Sequence, residues 1–165
     1  MKESRPTMIS RLLSIFALAA LTHAAPKATD LKTPKGYAAA FDAETLPTSV
    51  QIYTCTAGKW TGPDPDAVIS GAGLIIHHYK GPTWEATDGS IVHGSNAKHF
   101  AAAKSGAVDW LELDASGGTG KFAGVGYIHR IKTSGGVAPA AGCDEAHAGQ
   151  QARVPYIATY IFYAK

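Results

Sequence analysis

Polar and apolar positions alternate along much of this chain beyond residue 49. In VQIYTCTA (50–57), Val50, Ile52 and Thr54 alternate with Gln51, Tyr53 and Cys55. A period of two predicts a strand half-buried on each face. Further strand candidates are Gly73–Tyr79, Ser90–His93, Val108–Leu113, Phe122–Thr133 and Tyr156–Tyr163. The last, YIATYIFY, is rich in aromatic and β-branched residues and begins just after a proline. TGPDPDA (61–67) reads as turn material, and SGGTG and SGGVAPAAG punctuate strands. Helical signal is confined to NAKHFAAAK (96–104) and DEAHAGQQA (144–152), two or three turns each at most. Short strands separated by turns predict an all-β domain, an antiparallel β-sandwich or a small β-barrel.

The N-terminus follows a different pattern. LLSIFALAAL (12–21) is an apolar run behind a basic front of Lys2, Arg5 and Arg11, interrupted by Glu3, and Thr22-His23-Ala24 places small residues where a signal peptidase reads. This is the anatomy of a secretory signal over residues 1–24. Met8 is an alternative start that leaves Arg11 as the basic front. The apolar run falls short of the roughly twenty residues a membrane-spanning helix needs, so no membrane insertion is expected. Residues 25–48, rich in Pro, Thr and Ala, read as a loosely ordered leader, and 49–165 as a single β-rich domain.

Removing the signal changes the charge balance. The chain carries 15 Lys+Arg and 13 Asp+Glu, and loss of Lys2, Arg5, Arg11 and Glu3 leaves twelve of each. A formally neutral domain offers no electrostatic footprint for nucleic acid or an anionic membrane. The two cysteines, Cys55 and Cys143, read as one disulfide in an exported chain.

Several enzyme signatures fail on their particulars. ASGGTGKF (115–122) lacks the first glycine and the Ser/Thr after lysine that a phosphate-binding loop requires. GTGKFA (118–123) fits a loose dinucleotide pattern, but it runs into a strand where the pyrophosphate needs a helix N-terminus. There is no G-x-S-x-G elbow, and bonded cysteines supply no nucleophile. No cofactor is implied. Six histidines follow the signal: His77, His78, His93, His99, His129 and His147. If 73–79 paired directly with 90–93, His77 and His93 would face each other with His129 near, but no compact ligand spacing accompanies them. No metal is therefore expected.

The stretch HHYKGPTWEATDGS (77–90) concentrates the remaining chemistry. Two carboxylates, Glu85 and Asp88, beside Trp84 are what glycoside hydrolases and sugar-binding surfaces both use. In a platform reading, Gly81-Pro82 turns the chain so that Trp84 and Glu85 leave the strand together, exposed. In an architectural reading, Trp84 fills the core, Asp88-Gly89 is a turn, and an arginine such as Arg130 holds Glu85.

The blocks VQIYTC, HYKGPTWEATDGS, VDWLEL, GYIHRIKTSGGVAPAAGCD and RVPYIATYIFY, with Trp60 after the first, occur in this order. Together they resemble the DUF3455 family of small exported bacterial and fungal proteins, from about Val50 to Tyr163. The resemblance implies a β-rich secreted domain with one disulfide, and effector-like interaction roles for some fungal members. Other fungal members carry a malate dehydrogenase label, which a neutral exported domain without a dinucleotide fold does not support. The family's H-Y-x-G-P-x-W-E block falls on His78, Tyr79, Gly81, Pro82, Trp84 and Glu85, followed by Asp88 and Gly89. Its arginine falls on Arg130, and its T-x-G-G turn on Thr133, Gly135 and Gly136. His77, His93 and His129 lie outside the family pattern. The expectation is an exported binding protein whose face is His78, Tyr79, Trp84, Glu85, Asp88 and Arg130. Its partner would be a small molecule, glycan or protein outside the cytoplasm. The alternative is a hydrolase using the His/Glu/Asp cluster of residues 78–88.

Overall fold

The computed structural model describes residues 26–165; the signal reading of residues 1–24 lies outside them. Nine strands form one antiparallel sheet: β1 (Ala38–Thr45), β2 (Val50–Thr56), β3 (Lys59–Gly71), β4 (Leu74–Tyr79), β5 (Thr83–Ala86), β6 (Ile91–Phe100), β7 (Trp110–Ser116), β8 (Val125–Gly135) and β9 (Gln151–Ala164). From β3 onward each strand pairs with the next. The N-terminal half of β9 then pairs with β2 and its C-terminal half with β1, while β2 pairs back to β3. β1 and β2 thus run one after the other in the same slot, and the sheet curls into a near-complete ring. Of the two all-β architectures expected, the barrel is the one formed, and ring closure leaves few unpaired strand edges.

Four strands depart from the sequence reading. The stretch 25–48, read as a loosely ordered leader, contains β1, tied to β9 from Ala38↔Ala164 to Glu44↔Thr159. Its AAAFDAET sequence has low strand propensity, and the pairing partner imposes the conformation. TGPDPDA, read as a turn, lies inside β3, with Gln51↔Pro65 and Ile52↔Asp64 in register. Proline is tolerated there because β4 pairs with β3 only from Asp66 onward, so the earlier half of β3 has a free edge. The presumed loop after Gly81-Pro82 contains β5, which pairs with both β4 and β6. NAKHFAAAK is not helical: Asn96–Phe100 continue β6, with a bulge in the pairing between Ser95 and Lys98. In DEAHAGQQA only the 3-10 turn Glu145–His147 is helical.

The interior is built unevenly along the barrel axis. At one end Phe122 and Phe162 are fully buried and pack together at 5.2 Å, with Phe41 stacked on Phe162 at 4.6 Å. Ile69, Ile76, Val92 and Ile128 extend this apolar filling. The other end carries the β2–β3, β4–β5, β6–β7 and β8–β9 connections, and its interior holds His78, Arg130 and Tyr160 among apolar walls. The disulfide Cys55–Cys143, with Cα atoms 5.3 Å apart, ties β2 to the long β8–β9 connection at this same end.

Candidate functional site

Strand alternation divides the motif that the sequence singles out. On β4, Leu74, Ile76 and His78 point into the barrel while Ile75 and His77 point out. β5 continues this arrangement, pairing His78 with Trp84 and His77 with Glu85. Trp84 is therefore fully buried, with 0% of its surface exposed. Its ring stacks face to face on His78, 4.1 Å between centroids and 7° between planes. Tyr160 meets both rings edge-on, at 5.2 Å from His78 and 5.8 Å from Trp84. Gly94 on β6 makes room for the indole, since a Cβ there would lie 2.9 Å from Trp84 Cζ3.

The exposed platform is accordingly corrected: Trp84 is core, and Trp84 and Glu85 leave opposite faces of one strand. Glu85 lies outside the barrel and accepts a 2.8 Å hydrogen bond from the Tyr79 hydroxyl, not one from Arg130. Asp88 accepts from the Ser90 backbone N–H at 2.9 Å and shapes the β5–β6 turn. Of the six expected face residues, His78, Trp84 and Arg130 come together, whereas Tyr79, Glu85 and Asp88 do not join them. The hydrolase cluster is likewise split, with His78 inside and both carboxylates outside. β5 also separates His77 from His93: His77 sits opposite Glu85, and His93 opposite Thr83.

The three inward residues border a cavity of about 230 Å³. Leu111 and Leu113 on β7 and Tyr160 on β9 complete its wall, and Pro63–Pro65, Pro82, Ala97 and His99 form its mouth. Arg130 is 7% exposed. Its Nε and Nη2 both donate to the Asp109 carbonyl, at 3.2 and 2.9 Å. No ion pair to Arg130 occurs among the described residues. The polar groups around it are phenols: Tyr156 and Tyr160 share a 3.1 Å hydroxyl contact, and the Tyr53 hydroxyl donates to the Gly136 carbonyl at 2.7 Å. Burial pushes all three phenols up from their ordinary value, opposed by the nearby guanidinium, so they stay neutral.

His78 donates from Nδ1 to the Thr83 carbonyl at 2.9 Å, which leaves Nε2 as an unprotonated acceptor. Burial lowers its pKa to about 3, and the Arg130 charge acts in the same direction. The native state therefore refuses a proton that the unfolded chain accepts below about pH 6.5. The stability that neutral His78 allows is complete above that pH and falls as pH drops toward 3. Wild-type protein should lose about 2–3 kcal/mol from this group between pH 6.5 and pH 4.5. His78→Phe, which keeps a ring on Trp84, should remove that share of the loss in urea unfolding at the two pH values. An equal fall in both proteins would show that His78 titrates normally. Buried His129, also lowered by desolvation, contributes in the same direction in both proteins and cancels from the comparison.

The family described as a protein of unknown function, DUF3455, matches residues 66–164. The chain belongs to that family. Its DUF3455 segment supplies β4 to β9 and the second half of β3, and so every cavity residue except Pro63, Asp64 and Pro65. Cys55 precedes the matched segment, so the disulfide joins the DUF3455 region to the strand before it. No curated protein and no solved structure matches the chain.

Tyr160, Leu111 and Leu113 are site residues that the sequence reading missed. Their signal was present as the alternation of YIATYIFY and of VDWLEL, which sends these positions to the buried face.

Proposed function

We propose that this chain is an exported ligand-binding barrel that holds a compact, largely apolar small molecule against His78, Leu111, Leu113 and Arg130, with Trp84 and Tyr160 packed behind them. The observation that carries this reading is the hollow end of an otherwise packed interior. A pocket of about 230 Å³, open to solvent at its mouth, stands at the end of the barrel away from the packed phenylalanines. An engineered cavity of about 150 Å³ is enough to take up benzene. The wall has the composition of a ligand pocket, apolar surfaces with a few convergent polar groups. The disulfide favours the companion reading that the protein works in an oxidising compartment outside the cytosol.

The test uses the mouth rather than the core. Ala97 is exposed at the rim, so Ala97→Trp should narrow the entrance while leaving the fold intact. Indole and benzyl alcohol should raise the melting temperature of the wild-type protein, because a ligand that binds only the native state stabilises it. The shift should disappear in Ala97→Trp. No shift in the wild type, or equal shifts in both proteins, would count against the cavity as a binding site.

A further inference from the structure

Resting on that cavity reading, we infer that the ligand is a monoanionic carboxylic acid with a body about the size of one ring, its carboxylate received by Arg130. A guanidinium has five N–H donors and is always charged. Two of Arg130's donors go to one backbone carbonyl, and that carbonyl carries no charge to balance the cation. A buried charge without a counterion is costly, and proteins ordinarily pair it.

Three carboxylates on the strands and connections around this end of the barrel have other partners. Asp64, at the mouth, is bound to Lys80 at 2.8 Å. The Asp109 side chain lies 3.2 Å from His99 Nδ1, although its own backbone carbonyl holds Arg130. Glu112, next to Leu111 and Leu113 but on the outer face of β7, binds Lys98 at 2.7 Å and His129 at 3.1 Å. None of them is an ion-pair partner of Arg130. The Tyr160 hydroxyl lies close enough to engage one further donor, and the donors that remain on the guanidinium at the cavity wall suit a carboxylate.

The remaining walls narrow the class. His78 is neutral, so the cavity offers a single positive charge, matched by a monoanion rather than by a phosphate dianion. Its free Nε2 can accept a hydrogen bond from a ligand hydroxyl, but it cannot hold a second negative charge. Leu111, Leu113 and the prolines at the mouth provide the apolar surface for the body of the acid. By comparison with the roughly 150 Å³ that accommodates benzene, a volume of 230 Å³ takes one ring with a carboxyl substituent.

Benzoate, its neutral isostere benzamide and phenyl phosphate serve as probes in calorimetric titrations of the wild-type protein at pH 7. Benzoate should bind at least about tenfold more tightly than benzamide, the scale expected of a charge-assisted contact. It should also bind more tightly than phenyl phosphate. Arg130→Met should erase the preference for acid over amide, and Arg130→Lys should keep part of it. The wild-type comparison stands even if an Arg130 variant fails to fold. Equal binding of benzoate and benzamide, or tighter binding of phenyl phosphate, would overturn the carboxylate assignment and leave the cavity reading in place. Failure of both benzoate and benzamide while indole binds would do the same. Failure of every single-ring probe, indole included, would remove the cavity reading itself.

Discussion

Trp84→Ala is expected to lower the free energy of unfolding by about 3–5 kcal/mol, the range for truncating a large aromatic side chain in a packed core. Trp84 is the largest fully buried side chain of the barrel. It joins β5 to β4 through His78, to β9 through Tyr160 and Phe162, and to β6 through Gly94. Removing the indole strips a stacking partner from His78 and two edge contacts from β9 at once. Equilibrium urea unfolding measures the loss. Glu85→Gln, one residue away on the outer face, should change stability by about 0.5 kcal/mol or less, as exposed substitutions do. A loss of under about 1 kcal/mol for Trp84→Ala would mean that the indole does not organise this end of the barrel. Because the fold depends on Trp84, its removal cannot test binding, and the rim position Ala97 is the informative site for that purpose.

The sequence made strands visible where polar and apolar residues alternate, as in β2, or where aromatic and β-branched residues cluster, as in β9. It hid strands whose identity comes from partners. β5 has four residues between a Gly-Pro and an Asp-Gly turn, too few for a period of two to stand out from a loop. β1 is alanine-rich, and only its register with β9 makes it a strand. The prolines of β3 signal a turn locally, but a strand with an unpaired edge accommodates residues that lack an N–H. These are tertiary effects overriding local preference.

The candidate site was half legible for a related reason. The HYKGPTWE block gathers residues that are close in sequence, but consecutive strand residues face opposite sides. His78 and Trp84 belong to the interior and Tyr79 and Glu85 to the exterior, a division that becomes clear once β5 is recognised as a strand. Arg130 belongs to the site through its place on β8, across the cavity from β4. That positions 78, 84, 111, 113, 130 and 160 border a void, while 122 and 162 meet across a plug, depends on how side-chain volumes add up around the ring. No local pattern encodes that sum.

Replacing both cysteines, Cys55→Ala with Cys143→Ala, is expected to cost about 4–5 kcal/mol, the loop-entropy value for a bridge spanning this length of chain. The bridge joins residues 88 apart in sequence, from β2 to the connection between β8 and β9. That connection is otherwise held at few points. Cys55 N–H donates to the Gln150 carbonyl at 2.8 Å, Gly149 N–H to the Cys55 carbonyl at 2.9 Å, and Trp60 Nε1 to the Ala141 carbonyl at 3.1 Å. Val137 and Ala138, from the same connection, line a neighbouring surface depression that shares Pro63, His99 and Arg130 with the cavity. The bridge therefore restrains the unfolded chain and also anchors a segment bordering the site. Urea unfolding of the double variant should show the loss, and the wild-type protein under reducing conditions should reproduce it. Hydrogen exchange should locate the added mobility in residues 137–149, with the β4–β9 ladder still protected in the native state. A loss below about 1 kcal/mol, or faster exchange spread evenly over the barrel, would show that the bridge is not the restraint on this end of the molecule.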